Sequence, residues 1–401
     1  MRNRRWIWQM LAVLLAFTLV AAACGSDDDE SDSVASEEEA PTEEEAPTEE
    51  EAPSEEEAPA EGEMIPVNLQ LQWVPQSQFA GYFAAVDQGF YEELGLDVTI
   101  IDGGVDIVPA TVLDSGAADF AISWVPRGLV PREEGVDMVN IAQVFQRSGT
   151  LQVAFADSGI TTVGDLAGKN VGNWGFGNEF ELLAGLRSDG LDPDNDVTLV
   201  QQAFDMAALI NGDIDAAQAM IYNEYAQVLE TVNPDTGELY QPEDLNVIDW
   251  NDVGTAMLQD AIWADEGRLA EDPAYRDMSV AFVEGSLRGW AWCRDNFDAC
   301  VEVVNNAGPP FGGPSHQAWQ LNEINALIWP SPGGVGVMDQ AAWDQTVEIA
   351  TSEGILAAPP DEGAFRTDIA EEAVANLQAA GIDVTGDGFA RITVDIQEGG
   401  N

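Results

Sequence analysis

Residues 70–98 read QLQWVPQSQFAGYFAAVDQGFYEELGLDV, and their pattern changes period twice. Val67, Leu69, Leu71 and Trp73 alternate with Asn68, Gln70 and Gln72, the period-two signature of a strand with one apolar face. Pro75 stops that run. Phe79, Phe83, Val86 and Phe90 then recur at helical spacing, with Gly89 and Gly95 as punctuation. Leu96, Val98 and Ile100 resume an alternating strand. The stretch predicts a strand–loop–helix–strand unit whose loop, residues 73–78, carries an indole and several amides. In open α/β sheets such loops stand at the carboxyl ends of strands, where ligands bind.

The alternation continues downstream. Helix is predicted near 107–114, and strands near 118–123, 137–144 and 151–155. After Thr161 come a short helix (163–167), a strand (170–173), a helix (179–187), a strand (197–200), a helix (206–211), a buried strand (216–220) and a helix (224–230). Beyond Trp263 the pattern is mostly helical to about residue 380, broken by Pro309-Pro310, residues 330–336 and Pro359-Pro360. Such alternation implies α/β layers with mostly parallel strands. A body of about 338 residues is comfortable for two domains and too long for one ordinary domain.

Three stretches carry a family resemblance: residues 70–98, NWGFGNEF at 173–180, and NGDIDAAQAMIYNEY at 211–225. With Gly103-Gly104 and SGAADF at 115–120, the likeness spans residues 67–263. It resembles the solute-binding proteins of ABC importers that carry thiamine pyrimidine precursors, riboflavin and, more distantly, alkanesulfonates. The eukaryotic thiamine pyrimidine synthases share that fold. The resemblance implies a two-lobed type II periplasmic-binding-protein fold, the second lobe inserted into the first through crossing strands near Ala154 and Ile262. The expected divisions are residues 64–155 for the first part of the first lobe, 156–262 for the second lobe, and 263–401 for a helical return packing mainly on the first lobe, plus a tail.

The amino-terminal region reads differently. Arg2, Arg4 and Arg5 precede an apolar run over residues 6–20, then Ala21-Ala22-Ala23-Cys24. A basic segment, a short apolar core and small residues before a cut describe a secretory signal, residues 1–23. Cys24 looks like the lipid-attachment cysteine of a bacterial lipoprotein, which would hold the mature chain on the outer face of the membrane. Residues 24–63 are predicted to be a tether: EEEAPT-type hexads repeat from Glu37 to Ala60, too poor in apolar side chains to offset ordering entropy.

Charge excludes one class of partner. Residues 64–401 hold 54 acidic side chains against 11 basic ones, a net −43, and Lys169 is the sole lysine. Nucleic acid is excluded, because its binding depends on neutralising phosphates with basic side chains. Cys293 and Cys300, in WCRDNFDAC, are predicted either to bridge a helix–turn–helix junction at 295–297 or to remain two buried thiols; export favours the bridge. With His316 the only histidine and no cysteine cluster, the sequence predicts neither a metal site nor a cofactor.

Trp73, Trp124 and Trp174 fall at element ends, whereas Trp290, Trp292 and Trp319 lie within helical runs and are predicted to pack. An indole on a strand-end loop offers a flat face for a planar ring. Gln76 and Gln78 supply amide donors and acceptors, and Phe79 and Ser123 flank them as further candidates. Asn178 is either a ligand contact or the N-cap of the following helix. Tyr222, Asn223 and Glu224 occupy the position where the resembling proteins place a polar contact; a plain helix start is the other reading. Asp213 and Asp215 are assigned to a turn rather than to acid–base chemistry. The expected function is capture of a small heteroaromatic solute by a monomeric, membrane-anchored lipoprotein that delivers it to an ABC permease. Two rivals share the fold: a thiamine pyrimidine synthase, and an anion-binding protein for which Arg127 and Arg147 would be the nearest donors.

Overall fold

The computed structural model describes residues 64–308 and 311–401, so the expected signal segment, Cys24 and the acidic tether lie outside the described residues. Strands β1 (Ile65–Gln70), β2 (Leu96–Ile101), β3 (Phe120–Trp124) and β4 (Met138–Gln143) belong to one sheet. A second region holds β5 (Thr150–Phe155), β6 (Asn170–Asn173), β7 (Thr198–Gln201), β8 (Ala217–Met220) and β9 (Leu245–Asp249). The chain then returns to the first sheet as β10 (Asp260–Asp265), giving the order β2-β1-β3-β10-β4. β5 pairs with β8 and β9, β6 pairs with β7, and a bridge from Val171 to Ala216 joins the two sets.

Strand directions follow from this path. β1 runs parallel to β2 and β3, while β10 is antiparallel to both β3 and β4. In the second region β5 is antiparallel to β8 and β9, and β6 is parallel to β7. Each region therefore has one reversed strand, the one that follows directly on a crossing from the other: β5 on the way out and β10 on the way back.

That arrangement moves the expected lobe boundaries. Ala154 is not at a crossing, because it is paired with Asn246 inside the second sheet. Ile262 is paired with Ile122, well inside the first. The crossings are residues 144–149 and 250–259, so β5 belongs with the second lobe rather than with residues 64–155.

The main helices are α1 (Ala80–Asp87), α2 (Pro109–Asp114), α3 (Val125–Glu133), α4 (Phe180–Ser188), α5 (Glu224–Leu229), α6 (Pro273–Asp295), α7 (Phe297–Asn306), α8 (Pro314–Ile328), α9 (Gln340–Ser352) and α10 (Asp368–Ala379). The helix expected across residues 79–90 is broken. A 3-10 turn, Ser77–Phe79, precedes α1, and Gly89 in the left-handed region separates α1 from a further turn at Phe90–Glu93. Every residue of α1 from Ala80 to Ala85 is buried while Val86 is exposed, so the apolar stripe inferred from spacing does not describe it. This burial follows largely from α6, which lies across α1 and sets the Trp290 ring edge-on to Tyr82 at 5.8 Å between ring centres.

α1 and α6 approach closely because both are glycine at the crossing. A Cβ on Gly289 would lie 1.9 Å from the Gly81 carbonyl oxygen, and one on Gly81 would meet the Trp290 indole at 2.3 Å. Cys293 and Cys300 are joined by a disulfide with Cα atoms 5.1 Å apart, tying α6 to α7. The return segment also touches the second region. Trp319 on α8 donates to the Ile221 carbonyl at 2.9 Å, and Gly399 in the tail donates to the Glu230 carbonyl at 3.0 Å. Gly289→Ala should lower the unfolding free energy by about 1–3 kcal/mol, the usual cost of overpacking, read from the denaturant midpoint.

Candidate functional site

Asp260 opens β10 at the seam between the regions, and it is 2 % exposed. Its Oδ1 accepts from Gln72 Nε2 and from Trp124 Nε1, both at 2.8 Å, and its Oδ2 accepts from Gln78 Nε2 at 2.9 Å. Burial pushes the carboxyl up to about 7, against the lowering pull of those three donors. Gln78 Oε1 accepts from Gln76 Nε2 at 2.7 Å, and Gln76 Oε1 accepts from Gln320 Nε2 at 3.2 Å. Gln320 also donates to Asn223 Oδ1 at 3.2 Å, and Asn223 Nδ2 donates to Glu224 Oε1 at 2.9 Å. A continuous chain of side-chain hydrogen bonds thus runs from β10 through the first loop and α8 to the start of α5.

Of these residues, Gln72, Gln76, Gln78, Trp124, Asn223 and Glu224 line a cavity of about 410 Å³, with Asp260 and Gln320 behind them. Trp73, Gln76, Gln78 and Trp124 line it from the first lobe, and Trp174, Asn178, Tyr222, Asn223 and Glu224 from the second. The loop carrying Trp73 can turn there because Gly103 lies against it: a Cβ at Gly103 would be 2.4 Å from the Leu71 carbonyl oxygen and the Trp73 nitrogen. Phe204 links the two aromatic walls. Its ring centre is 5.0 Å from that of Trp73 and 5.7 Å from that of Trp174, within aromatic contact range. Trp174 is held by its backbone N–H, which donates to Gln218 Oε1 at 3.0 Å. Its own indole N–H is buried without a partner among the described residues.

Two expected site residues lie elsewhere. Phe79 is fully buried in the core, because the 3-10 turn that precedes α1 directs it away from the loop. Ser123 is buried inside β3, opposite Ala261, where its carbonyl accepts from Trp263 Nε1 at 3.0 Å. Asn178 does not cap α4, whose N-cap is Glu179; its amide donates to Gly175 O at 2.8 Å and shapes the loop. Gln76 and Gln78 do reach the cavity, but their amides are already engaged with each other, Gln320 and Asp260. Asp215 accepts from the Asn170 backbone at 2.8 Å, a long-range contact to the start of β6, so its side chain serves the packing of the chain there.

Several lining residues escaped the sequence reading: Gln72, Val105, Val108, Phe176 and Phe204; Arg127, read there only as a donor for an anion, lines the cavity too. Phe176 carried a signal. It stands between two glycines, and the run Gly175, Phe176, Gly177 has φ of 71°, 56° and 91°. A left-handed phenylalanine is strained by about 1 kcal/mol or more, and its ring is 82 % exposed at the rim.

Glu224 is the second buried carboxyl of the site. Burial pushes it up to about 7, opposed by hydrogen bonds from the Met220 backbone and Asn223 and by nearby His316. The histidine itself braces rather than lines: Nδ1 is 2.7 Å from Glu230 Oε1, and Nε2 is 2.9 Å from Asn223 Oδ1.

Two sheets joined by a double crossing, with a polar and aromatic cavity between them, define the periplasmic-binding-protein architecture. A sulfonate-binding ABC transporter protein from Methylobacillus flagellatus superimposes with a TM-score of 0.58 at 18 % identity, over 83 % of this chain and 99 % of that one. Residues 76–299 match the NMT1/THI5-like family, and the chain belongs to it. The riboflavin-binding protein RibY of Chloroflexus aurantiacus is 28 % identical over 74 % of this chain and 83 % of its own. A formylaminopyrimidine-binding protein of Halalkalibacterium halodurans is 23 % identical over 73 % and 87 %.

Raised carboxyls make stability depend on pH in a stated direction. Asp260, Glu224 and Glu181 all have folded values near 7, while their ordinary values are 3.8, 4.5 and 4.5. Between those limits the folded state binds more protons, so unfolding free energy should fall as pH rises from about 4 to about 7. Asp260→Asn should make that decline shallower; an unchanged slope in urea titrations across this range would show that Asp260 does not titrate there. Phe176→Gly should leave the solute-free protein as stable or up to about 1 kcal/mol more so, while weakening solute binding several-fold. Lost stability with unchanged affinity would give Phe176 a packing role instead.

Proposed function

We propose that this protein is the extracytoplasmic solute-binding component of an ABC importer, and that its solute is a small planar heteroaromatic, with riboflavin or a formylaminopyrimidine-type thiamine precursor as the leading candidates. The observation that carries the reading is the cavity between the sheets, whose aromatic faces come from both lobes. Trp73 from one side and Trp174 from the other meet through Phe204, and a planar ring gains about 0.5–1.5 kcal/mol from such faces beyond simple burial. Glu224 and Asn223 supply polar contacts at the same wall. Family membership and the two relatives matched over most of their length support solute binding as the function class.

Capture proceeds by closure of the two lobes, each contributing contacts that only the shut form makes together. No bond in the solute need break. Cys24 carries the lipid that holds the protein at the membrane, the acidic repeats serve as its tether, and the closed form is presented to a permease. A synthase reading has no comparable support from the site. Its two natural candidates for chemistry, His316 and Lys169, both lie outside the cavity lining.

Heating the purified protein and recording absorption and mass spectra of what it releases tests the reading; a flavin or a pyrimidine is expected, and an aliphatic sulfonate or nitrate would refute it. Replacing Trp73 or Trp174 with Ala should weaken binding of the released molecule by about 1–3 kcal/mol, as for aromatic anchors in desolvated pockets. Trp124→Ala should differ. Its indole also holds Asp260, so this variant should lose thermal stability along with affinity.

A further inference from the structure

Arg127 is the third residue of α3, three positions after Trp124, and it lines the same cavity as Glu224. Among the described residues, eight other arginines pair with carboxylates. Arg147 donates instead to the Pro330 carbonyl at 2.8 Å, among other carbonyls. Arg127 has neither kind of partner within the described residues. In a body with a net charge of −43, carboxylates are abundant and a lone guanidinium is unexpected.

Its surroundings make that isolation costly. Burial lowers its pKa from the usual arginine value, while the field of Asp260 opposes the change. A partly buried cation without a hydrogen-bond acceptor in the protein is less well solvated than a free one, and a group that binds there and supplies an acceptor relieves that cost. The indole N–H of Trp174, another lining residue, is likewise without a partner, although that nitrogen is itself buried. Across the cavity Glu224 presents an acceptor. Its oxygens take the Met220 N–H and the Asn223 amide, and each retains a lone pair.

We propose that Arg127 is a solute-recognition residue that donates to an oxygen on the ring system of an uncharged solute, while Glu224 takes a ring N–H or exocyclic amine. This rests on the function proposed above and narrows its solute: an acceptor oxygen turned to the first lobe, a donor to the second. A ring imide of a flavin and the formamide of a formylaminopyrimidine both carry that pair. A phosphate is disfavoured as the acceptor, because the carboxyl groups of Asp106 and Glu224 line the same cavity and would repel it.

The test is titration of solute-stripped protein with riboflavin, formylaminopyrimidine and riboflavin 5′-phosphate, followed by tryptophan fluorescence, for the unmodified chain, Arg127→Ala and Arg127→Lys. For whichever ring the unmodified chain binds, Arg127→Ala should cost about 10- to 100-fold in affinity, the range for a charge-assisted hydrogen bond, and Arg127→Lys should recover part of it. The solute-free Arg127→Ala protein should melt at or above the unmodified temperature, since no hydrogen bond or ion pair within the described residues is lost and a partly buried charge is removed. Unchanged affinity in Arg127→Ala overturns the assignment, as does a loss of affinity accompanied by a lower melting temperature. A preference for riboflavin 5′-phosphate over riboflavin that vanishes in Arg127→Ala makes the residue a phosphate anchor and overturns the ring-oxygen assignment. Binding of neither ring by the unmodified chain refutes the proposed function, and this inference with it.

Discussion

A buried carboxylate at the first residue of the returning strand holds the site together. Asp260 draws one amide from the end of β1, a second from the loop that follows, and the indole at the end of β3 onto two oxygens. Each bond is charge-assisted whenever the group is ionised, and a low local dielectric strengthens it. The same burial penalises the charge, which is why the group titrates near neutrality rather than near its ordinary value. The balance serves position more than stability. With Asp260 fixed by the sheet, Gln72, Gln78 and Trp124 have one arrangement that satisfies them, and Gln76, Gln320 and Asn223 extend the order to Glu224.

The aromatic walls depend on that order without being part of it. Trp73 follows Gln72 on the loop, and its approach is possible only because Gly103 has no side chain. Trp174 is positioned independently by Gln218, whose side chain also donates to the Asn178 carbonyl. Phe204, on a loop of neither sheet, touches both indoles. The rim is less settled than the floor. Phe176 is held in a left-handed conformation with its ring in solvent, and Val105 and Val108 are exposed on the other side of the opening. Exposed apolar groups at a cleft mouth are where closing contacts are made.

What the sequence disclosed and what it hid have physical causes. The strand–loop–helix unit at residues 70–98 was legible because its period changes sharply, and Trp73, Trp124 and Trp174 were legible because indoles at element ends are rarely packing alone. Phe79 and Ser123 were misread for one reason: they neighbour lining residues in sequence, but a 3-10 turn and a strand's alternation point them inward. Val86 was misplaced because residues 80–85 of α1 are buried whatever face they occupy, while Val86, near its end, is exposed, so helical spacing marks no single apolar stripe. β5 could not be assigned to its lobe, since TLQVAF is buried on both faces and such a run shows no side. Asp260 was invisible, because its partners lie 136 to 188 residues away and no local pattern marks it. Arg127 was noticed only as a nearby cation. Its lack of a partner is a property of three dimensions.

The most direct measurement is a crystal structure of the protein soaked with the molecule that it releases on heating. The ring should lie in the cavity between the sheets, with its centre about 4.5–7 Å from those of Trp73, Phe204 or Trp174, and with Gln72, Gln78 and Trp124 still bonded to Asp260. Density for the solute elsewhere, for example in the hollow beside Arg294 and Phe389, with the central cavity unchanged, would contradict the account.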